Sequence, residues 1–182
     1  MDQETAQAPT RPPVSVPPAI VVMGVAGCGK SAVGTALAAA LGAIFIEGDR
    51  LHPPENVARM ASGEPLTDQL REGWLDAIGE HIAASASKGK GVVAACSALK
   101  RGYRERLRGF CRDITFLYLE IDPATASARV ASRKGHFMPA SLVGSQFAIL
   151  EPPGRDERAL TIDATRPVAD VVAEAIRLLA KS

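Results

Sequence analysis

Ala19-Ile20-Val21-Val22-Met23-Gly24-Val25-Ala26-Gly27-Cys28-Gly29-Lys30-Ser31 is the stretch whose reading decides the fold. It opens with an apolar β-branched run, Ile20-Val21-Val22, the composition of a strand buried on both faces. The spacing G-x-x-x-x-G-K-S follows, and then Val33, Ala36, Leu37, Ala40 and Leu41 recur at helical intervals. Strand, glycine loop and helix in that order are the context of a phosphate cradle. Glycines let successive backbone N–H groups turn toward an anion, and the N-terminus of the helix adds partial positive charge. Lys30 can reach β- and γ-phosphates, and the Ser31 hydroxyl can ligate Mg²⁺. A tight glycine turn that binds nothing is the alternative, and the flanking strand and helix argue against it. The stretch reads as a nucleoside-triphosphate site.

Outward from it, strands and helices alternate. Ile44-Phe45-Ile46 predicts a second strand ending at Glu47-Gly48-Asp49, and Pro53 and Pro54 fit the first turn of a helix stopped at Gly63. Asp68 starts a longer helix with Trp74, Leu75, Ile78 and Ile82 on one face. A third strand covers residues 91–95, a basic helix carries Lys100 to Arg108, and a fourth strand covers 114–119. A helix over 123–134, a loop from Gly135 to Gln146, a strand over 160–163 and a helix over 168–180 complete the chain. Five short strands separated by helices predict an α/β parallel sheet covered on both faces. Ligands of such sheets bind at the carboxyl ends of the strands, which gathers the glycine loop, Asp49 and Ser97 around one crevice.

Composition sets limits. The chain has 182 residues, a size for one domain over 19–182, behind a proline-rich leader over 1–18. A formal net charge of +1 offers no footprint for nucleic acid. No apolar run approaches the roughly 20 residues that span a bilayer. Three cysteines without ligand-like spacing suit reduced thiols in a cytoplasmic protein. Cys28, at a helix start beside Lys30, is expected to be a reactive thiol.

Three further stretches carry a resemblance. E-G-D-R-L-H-P-P-E-N from Glu47, C-S-A-L-K-R-G-Y-R from Cys96 and G-H-F-M-P-A-S-L from Gly135 are similar to motifs of the gluconokinase family of small P-loop kinases. The match runs from about Ile20 to the carboxyl end. It implies a nucleoside-monophosphate-kinase-like fold with a mobile lid around 134–146, use of ATP and Mg²⁺, transfer to the 6-hydroxyl of D-gluconate, and a homodimer. The backbone and side chains of Gly24, Val25, Ala26, Gly27, Cys28, Gly29, Lys30, Ser31 and Ala32 would then hold the nucleotide.

A sugar-acid kinase needs a group to accept the hydroxyl proton and cations for the carboxylate and the migrating phosphoryl charge. Asp49 can supply the first, or can be a helix N-cap or turn residue. Glu47, two residues earlier, suits a Mg²⁺-bound water. His52 is either a turn residue or, by the resemblance, a substrate contact, as are His136 and Gln146. Lys100, Arg101 and Arg104 begin a helix near a strand end, so at least one is expected to hold gluconate or phosphate, Arg bidentately. Arg106 and Arg108 read as a solvated face. Arg129 and Arg133 are either an exposed i,i+4 pair or, as in related kinases, an adenine contact and a transition-state cation of the lid.

The chain departs from the family where L-T-D-x-D-R-x-P-W-L is usual: Leu70 replaces the second aspartate and Gly73 the proline. Two other readings stay in view. A kinase for shikimate or a nucleoside monophosphate should lack G-D-x-L-H-P-P-E-N. A regulatory module that no longer catalyses should lack Lys30, Asp49 or the lid arginines.

Overall fold

The computed structural model describes residues 17–132, 139 and 141–181. Five strands, β1 (Ala19–Met23), β2 (Ile44–Glu47), β3 (Val92–Ala95), β4 (Ile114–Glu120) and β5 (Ala159–Asp163), form one parallel sheet in the order β2-β3-β1-β4-β5. Every residue of β1 is buried, as its uninterrupted apolar run requires of a strand covered on both sides. Ile20 and Val22 enter one core, and Ala19, Val21 and Met23 the other.

The seven helices are α1 (Lys30–Leu41), α2 (Pro54–Ala61), α3 (Asp68–Ala86), α4 (Arg101–Phe110), α5 (Pro123–Ser132), α6 (Ser141–Ile149) and α7 (Val168–Leu179) among the described residues. Val33, Leu37, Ala126, Val143, Val171 and Ala175 bring α1, α5, α6 and α7 onto one face. Trp74, Leu75, Ile78, Ile82 and Leu107 bring α3 and α4 onto the other. Thr67 caps α3 by accepting from the Leu70 N–H, and Gly42 ends α1 in the left-handed conformation. Met60, Leu66 and Leu142 form a small third cluster, joining the α2–α3 turn to α6.

One element differs from expectation. Residues 141–146 belong to α6, with Leu142, Val143 and Gln146 buried, so the segment expected to be loop up to Gln146 is helical in its last part. The 1, 4 spacing from Leu142 places these side chains on one helical face, which packing on the core stabilises. The sheet order reverses direction at β1, whose successors in the chain pair on opposite sides of it as β3 and β4. The crevice beyond the carboxyl ends of β1 and β3 is the binding position of an open α/β sheet.

Candidate active site

The glycine loop fills the turn from β1 to α1. Gly24, Gly27 and Gly29 have φ of 139°, 86° and 95°, a region that side-chain-bearing residues rarely adopt. A Cβ on Gly27 would lie 2.5 Å from the Ala126 carbonyl oxygen, so the loop is also pressed against α5. The Lys30 ammonium donates to the carbonyls of Gly24 and Val25, each at 3.0 Å, and so spans its own loop. Ala26 donates its N–H to the Gln146 side-chain carbonyl at 2.7 Å. The Cys28 side chain departs from expectation. It is 2% exposed, packed in the core beneath Gly24 rather than presented inside the cradle, which argues against a thiol open to reagents.

Across the crevice, β2 runs into a short 3₁₀ turn, Gly48–Leu51, that carries Asp49. The N-cap residues of this turn and of α2 are Glu47 and Pro53, so Asp49 is a turn residue and not a helix cap. Asp49 lines the crevice together with Lys30, Ser31, Gly29, Ser97 and Gln146. Glu47 pairs with Ala95 at the end of β2 and lies outside that lining. A Cβ on Gly48 would lie 2.2 Å from the Ala95 carbonyl, and the Trp74 indole N–H donates to the Gly48 carbonyl at 2.7 Å. The strand end bearing Asp49 is therefore clamped between β3 and α3.

His52 stacks on Trp74 with ring centroids 4.1 Å apart and planes 11° from parallel. Burial pushes its imidazole down to about 4, with the Asp49 carboxylate opposing and the Arg71 cation reinforcing the shift. Its Nδ1 is buried without a hydrogen-bond partner among the described residues.

The basic helix corrects the sequence reading most. Arg104 is wholly buried, its fork closed on Glu157 at 2.7 and 2.8 Å, with Nη1 donating to Ala98 and Leu99 carbonyls. It therefore holds the protein together rather than a substrate. Arg101 pairs with Glu105 and Asp156, and Lys100 with both oxygens of Asp68 at 2.8 and 2.7 Å. None of the three lines the crevice. Arg106 and Arg108 are not a free solvated face either. Arg106 bridges α4 to α3 by a bidentate pair with Asp76, and Arg108 lies over the Phe116 ring at 5.0 Å.

Residues the sequence reading passed over take their place. Arg71, Trp74, Met60 and Leu66 line the crevice. The signal for Arg71 is its spacing, since it falls on the stripe of Trp74, Leu75, Ile78 and Ile82, where a cation needs a reason to be.

A second groove lies on the other side of the loop, lined by Cys28, Gly29, Val33, Arg129 and the turn 164–168. Arg129 donates to the carbonyls of Ala164 and Thr165 at 2.9 and 3.3 Å, which fixes its guanidinium over that turn. Arg133 and His136, and residues 134–138 and 140 of the expected lid, fall outside the described residues. Among the described residues no three His, Cys, Asp or Glu side chains are placed to hold a metal. Ser31 lines the crevice beside Lys30, and its hydroxyl with phosphate oxygens and water would suit Mg²⁺, an ion that keeps several waters in kinase sites.

Comparison with known proteins agrees with this arrangement. A family model described as an AAA domain matches residues 20–153. The chain is 46% identical over 158 residues to a gluconokinase of Gluconobacter oxydans, covering 87% of this chain and 89% of that one. It is 42% identical over 162 residues to the thermoresistant gluconokinase of Escherichia coli K12, covering 88% and 93%. In three dimensions it is similar to a crystal structure of a gluconokinase from Sinorhizobium meliloti 1021, with TM-score 0.82, 47% identity and 91% and 93% coverage. It is also similar to an unliganded sugar kinase from Janibacter, with TM-score 0.84, 40% identity and 88% and 93% coverage. With its phosphate loop, its crevice and these relatives together, the chain belongs to the AAA-domain P-loop proteins and, among them, to the gluconokinase family.

Proposed function

We propose that the protein is an ATP-dependent gluconokinase that carries the γ-phosphoryl group to the 6-hydroxyl of D-gluconate, giving 6-phospho-D-gluconate and ADP. The observation that carries the reading is the common lining of one crevice by Lys30, Ser31 and Asp49, at the carboxyl ends of β1 and β2. Lys30 and the loop N–H groups neutralise the β- and γ-phosphates. Asp49, on the opposite wall, orients the hydroxyl and takes its proton as the new O–P bond forms and the bond from the γ-phosphorus to ADP breaks. His52, held neutral, would offer a ring nitrogen to acceptor hydroxyls, and Gln146, which accepts from the Ala26 N–H of the loop, would contact the acceptor beside the phosphates.

Mg²⁺ would be held by Ser31 and, through a water, by Glu47 at the end of β2, and would supply charge neutralisation at the phosphate oxygens. The groove beside Arg129 suits the adenine, since a fixed guanidinium can stack on a planar base. Arg133 and His136 remain our candidates for the lid, around residues 134–146. We infer further that residues 19–182 work as one kinase domain behind the 1–18 leader, in a cytoplasmic homodimer that feeds the pentose phosphate pathway. No described helix is long and apolar enough to cross a membrane.

ADP formation measured over gluconate, shikimate, glucose and AMP tests the reading, with ³¹P NMR to locate the new ester. Gluconate should exceed the others by far, and equal rates with glucose and gluconate would sink the assignment.

A further inference from the structure

We propose that Arg71 is the residue that selects an acid over a neutral sugar, by binding the acceptor's carboxylate where α3 meets the crevice. The inference rests on the kinase reading above. It comes from where this cation stands and from what its partners leave unused.

Arg71 is buried in α3, 8% exposed, and lines the crevice beside His52 and Trp74. Burying a guanidinium is costly unless an anion compensates it. The carboxylate nearest to it among the described residues, Asp68, stands at 4.0 Å and is already committed. Both Asp68 oxygens accept from Lys100, and one also accepts from the Tyr103 hydroxyl. Arg71 itself uses one nitrogen on the protein: Nη1 donates to the Leu66 carbonyl at 2.6 Å and to the Tyr103 hydroxyl at 3.3 Å. These bonds aim the fork and leave Nε and Nη2 without a bond to a described residue. A planar cation held by neutral acceptors, with donors to spare in a cleft, is suited to a bidentate carboxylate.

The other basic side chains expected to do this are taken up. Arg101 and Arg104 are closed on Asp156, Glu105 and Glu157. The apolar wall of Met60, Leu66 and Trp74 around Arg71 excludes water from the contact, which strengthens it. With the C1 carboxylate anchored on Arg71, the far end of an extended six-carbon acid points back toward Lys30 and Asp49.

The test compares gluconate with D-glucitol, a six-carbon chain of the same length lacking the charge, in wild type, Arg71→Gln and Arg71→Lys. Truncating one partner of a desolvated charge pair typically lowers binding by roughly 10² to 10³-fold. The kcat/KM ratio of gluconate over glucitol should therefore fall about 10²-fold in Arg71→Gln, through the KM for gluconate, with the KM for ATP moving little. If Arg71→Gln does not fold, Arg71→Lys decides: it keeps the charge without the fork, and should raise the KM for gluconate about tenfold while still preferring the acid. Equal losses on gluconate and glucitol, or an unchanged KM for gluconate, overturn the proposal. Should wild type leave gluconate untouched, the kinase reading fails separately. The same variants are then run on the best acceptor in a panel of aldonic and uronic acids and neutral polyols, and a neutral best acceptor overturns the proposal.

Discussion

The side-chain carbonyl of Gln146 accepts a 2.7 Å hydrogen bond from the backbone N–H of Ala26, tying α6 to the phosphate loop 120 residues earlier in the chain. Gln146 thereby stands against the loop that would cradle a triphosphate. A carboxylate in this place would face the phosphates, and two like charges about 4 Å apart repel by about 4 kcal/mol at an intermediate dielectric. Gln146→Glu should raise the KM for ATP by more than about tenfold. Gln146→Ala should lower thermal stability by about 1 kcal/mol through the lost bond. Steady-state kinetics with ATP as the varied substrate checks the first, and an unchanged KM would show that position 146 does not face the phosphates.

Asp49 shares the lining with Lys30 but follows β2, which β3 separates from the β1 that precedes Lys30. Asp49→Asn keeps the shape and removes the proton acceptor, so kcat at saturating gluconate should fall roughly 10² to 10⁴-fold with the KM for ATP little changed. Lys30→Met should instead damage ATP use itself. A kcat within a few fold of wild type would move the base elsewhere.

Glu157 and Arg104 are a buried pair whose side chains are 2% and 0% exposed. The Arg104 fork, bonded to both oxygens, holds the Glu157 carboxyl below its ordinary 4.5. Its stabilising effect is therefore complete above about 4.5 and is lost as the pH falls through the lower folded value. Glu157→Gln leaves a buried guanidinium half-paired and should cost about 3–5 kcal/mol. Urea unfolding at pH 7 and at pH 3.5 checks both points: the difference between wild type and variant should shrink at the lower pH.

His52 behaves in the same direction for a different reason. Burial against Trp74 depresses its imidazole to about 4, so the unfolded chain binds the proton more readily than the fold between about 4 and 6.5. Stability from this residue is full above 6.5 and declines as the pH drops toward 4. His52→Phe, which keeps a ring on Trp74, should remove that decline from the melting temperature. The kcat/KM profile of wild type between pH 5 and 8 should carry no inflection from His52, and one that vanishes in His52→Gln would contradict the assignment of a neutral ring.

Lys30, Ser31 and Asp49 were legible because each sits in a contiguous stretch whose local structure the stretch itself dictates. The five parallel strands were legible for the same reason, through their apolar runs. Arg104 was misplaced because nearness to a strand end does not say which way a helix face turns. Tyr103, Arg104 and Leu107 are its buried stripe, and the acid that explains an arginine there comes from 53 residues further on. Arg71 was hidden by the converse: its direction was readable from the Trp74 stripe, but its chemistry depends on Asp68 being claimed by Lys100 and Tyr103 from another helix. The order of strands in the sheet, and hence the meeting of Gln146 with Ala26, has no local signature at all. The Leu70 carbonyl, not its side chain, accepts from Asn56 and joins α2 to α3, so that tie is indifferent to which residue stands there.

The contact of Gly48 with the Ala95 carbonyl sets a boundary on how this enzyme's acceptor range can be changed. With 2.2 Å available where a methyl group would go, any residue larger than glycine forces β2 and β3 apart and carries Asp49 with them. A displacement of about 1 Å at a reacting group can lower the rate about 10²-fold, so the turn bearing Asp49 is closed to drift and to design alike. Met60, Leu66 and Arg71 line the same crevice through side chains carried outside the sheet, so their exchange does not press on the strand ends. Divergence toward longer, shorter or uncharged acceptors should accumulate there, and laboratory selection for a new acceptor should recover substitutions in α2 and α3 while position 48 stays glycine.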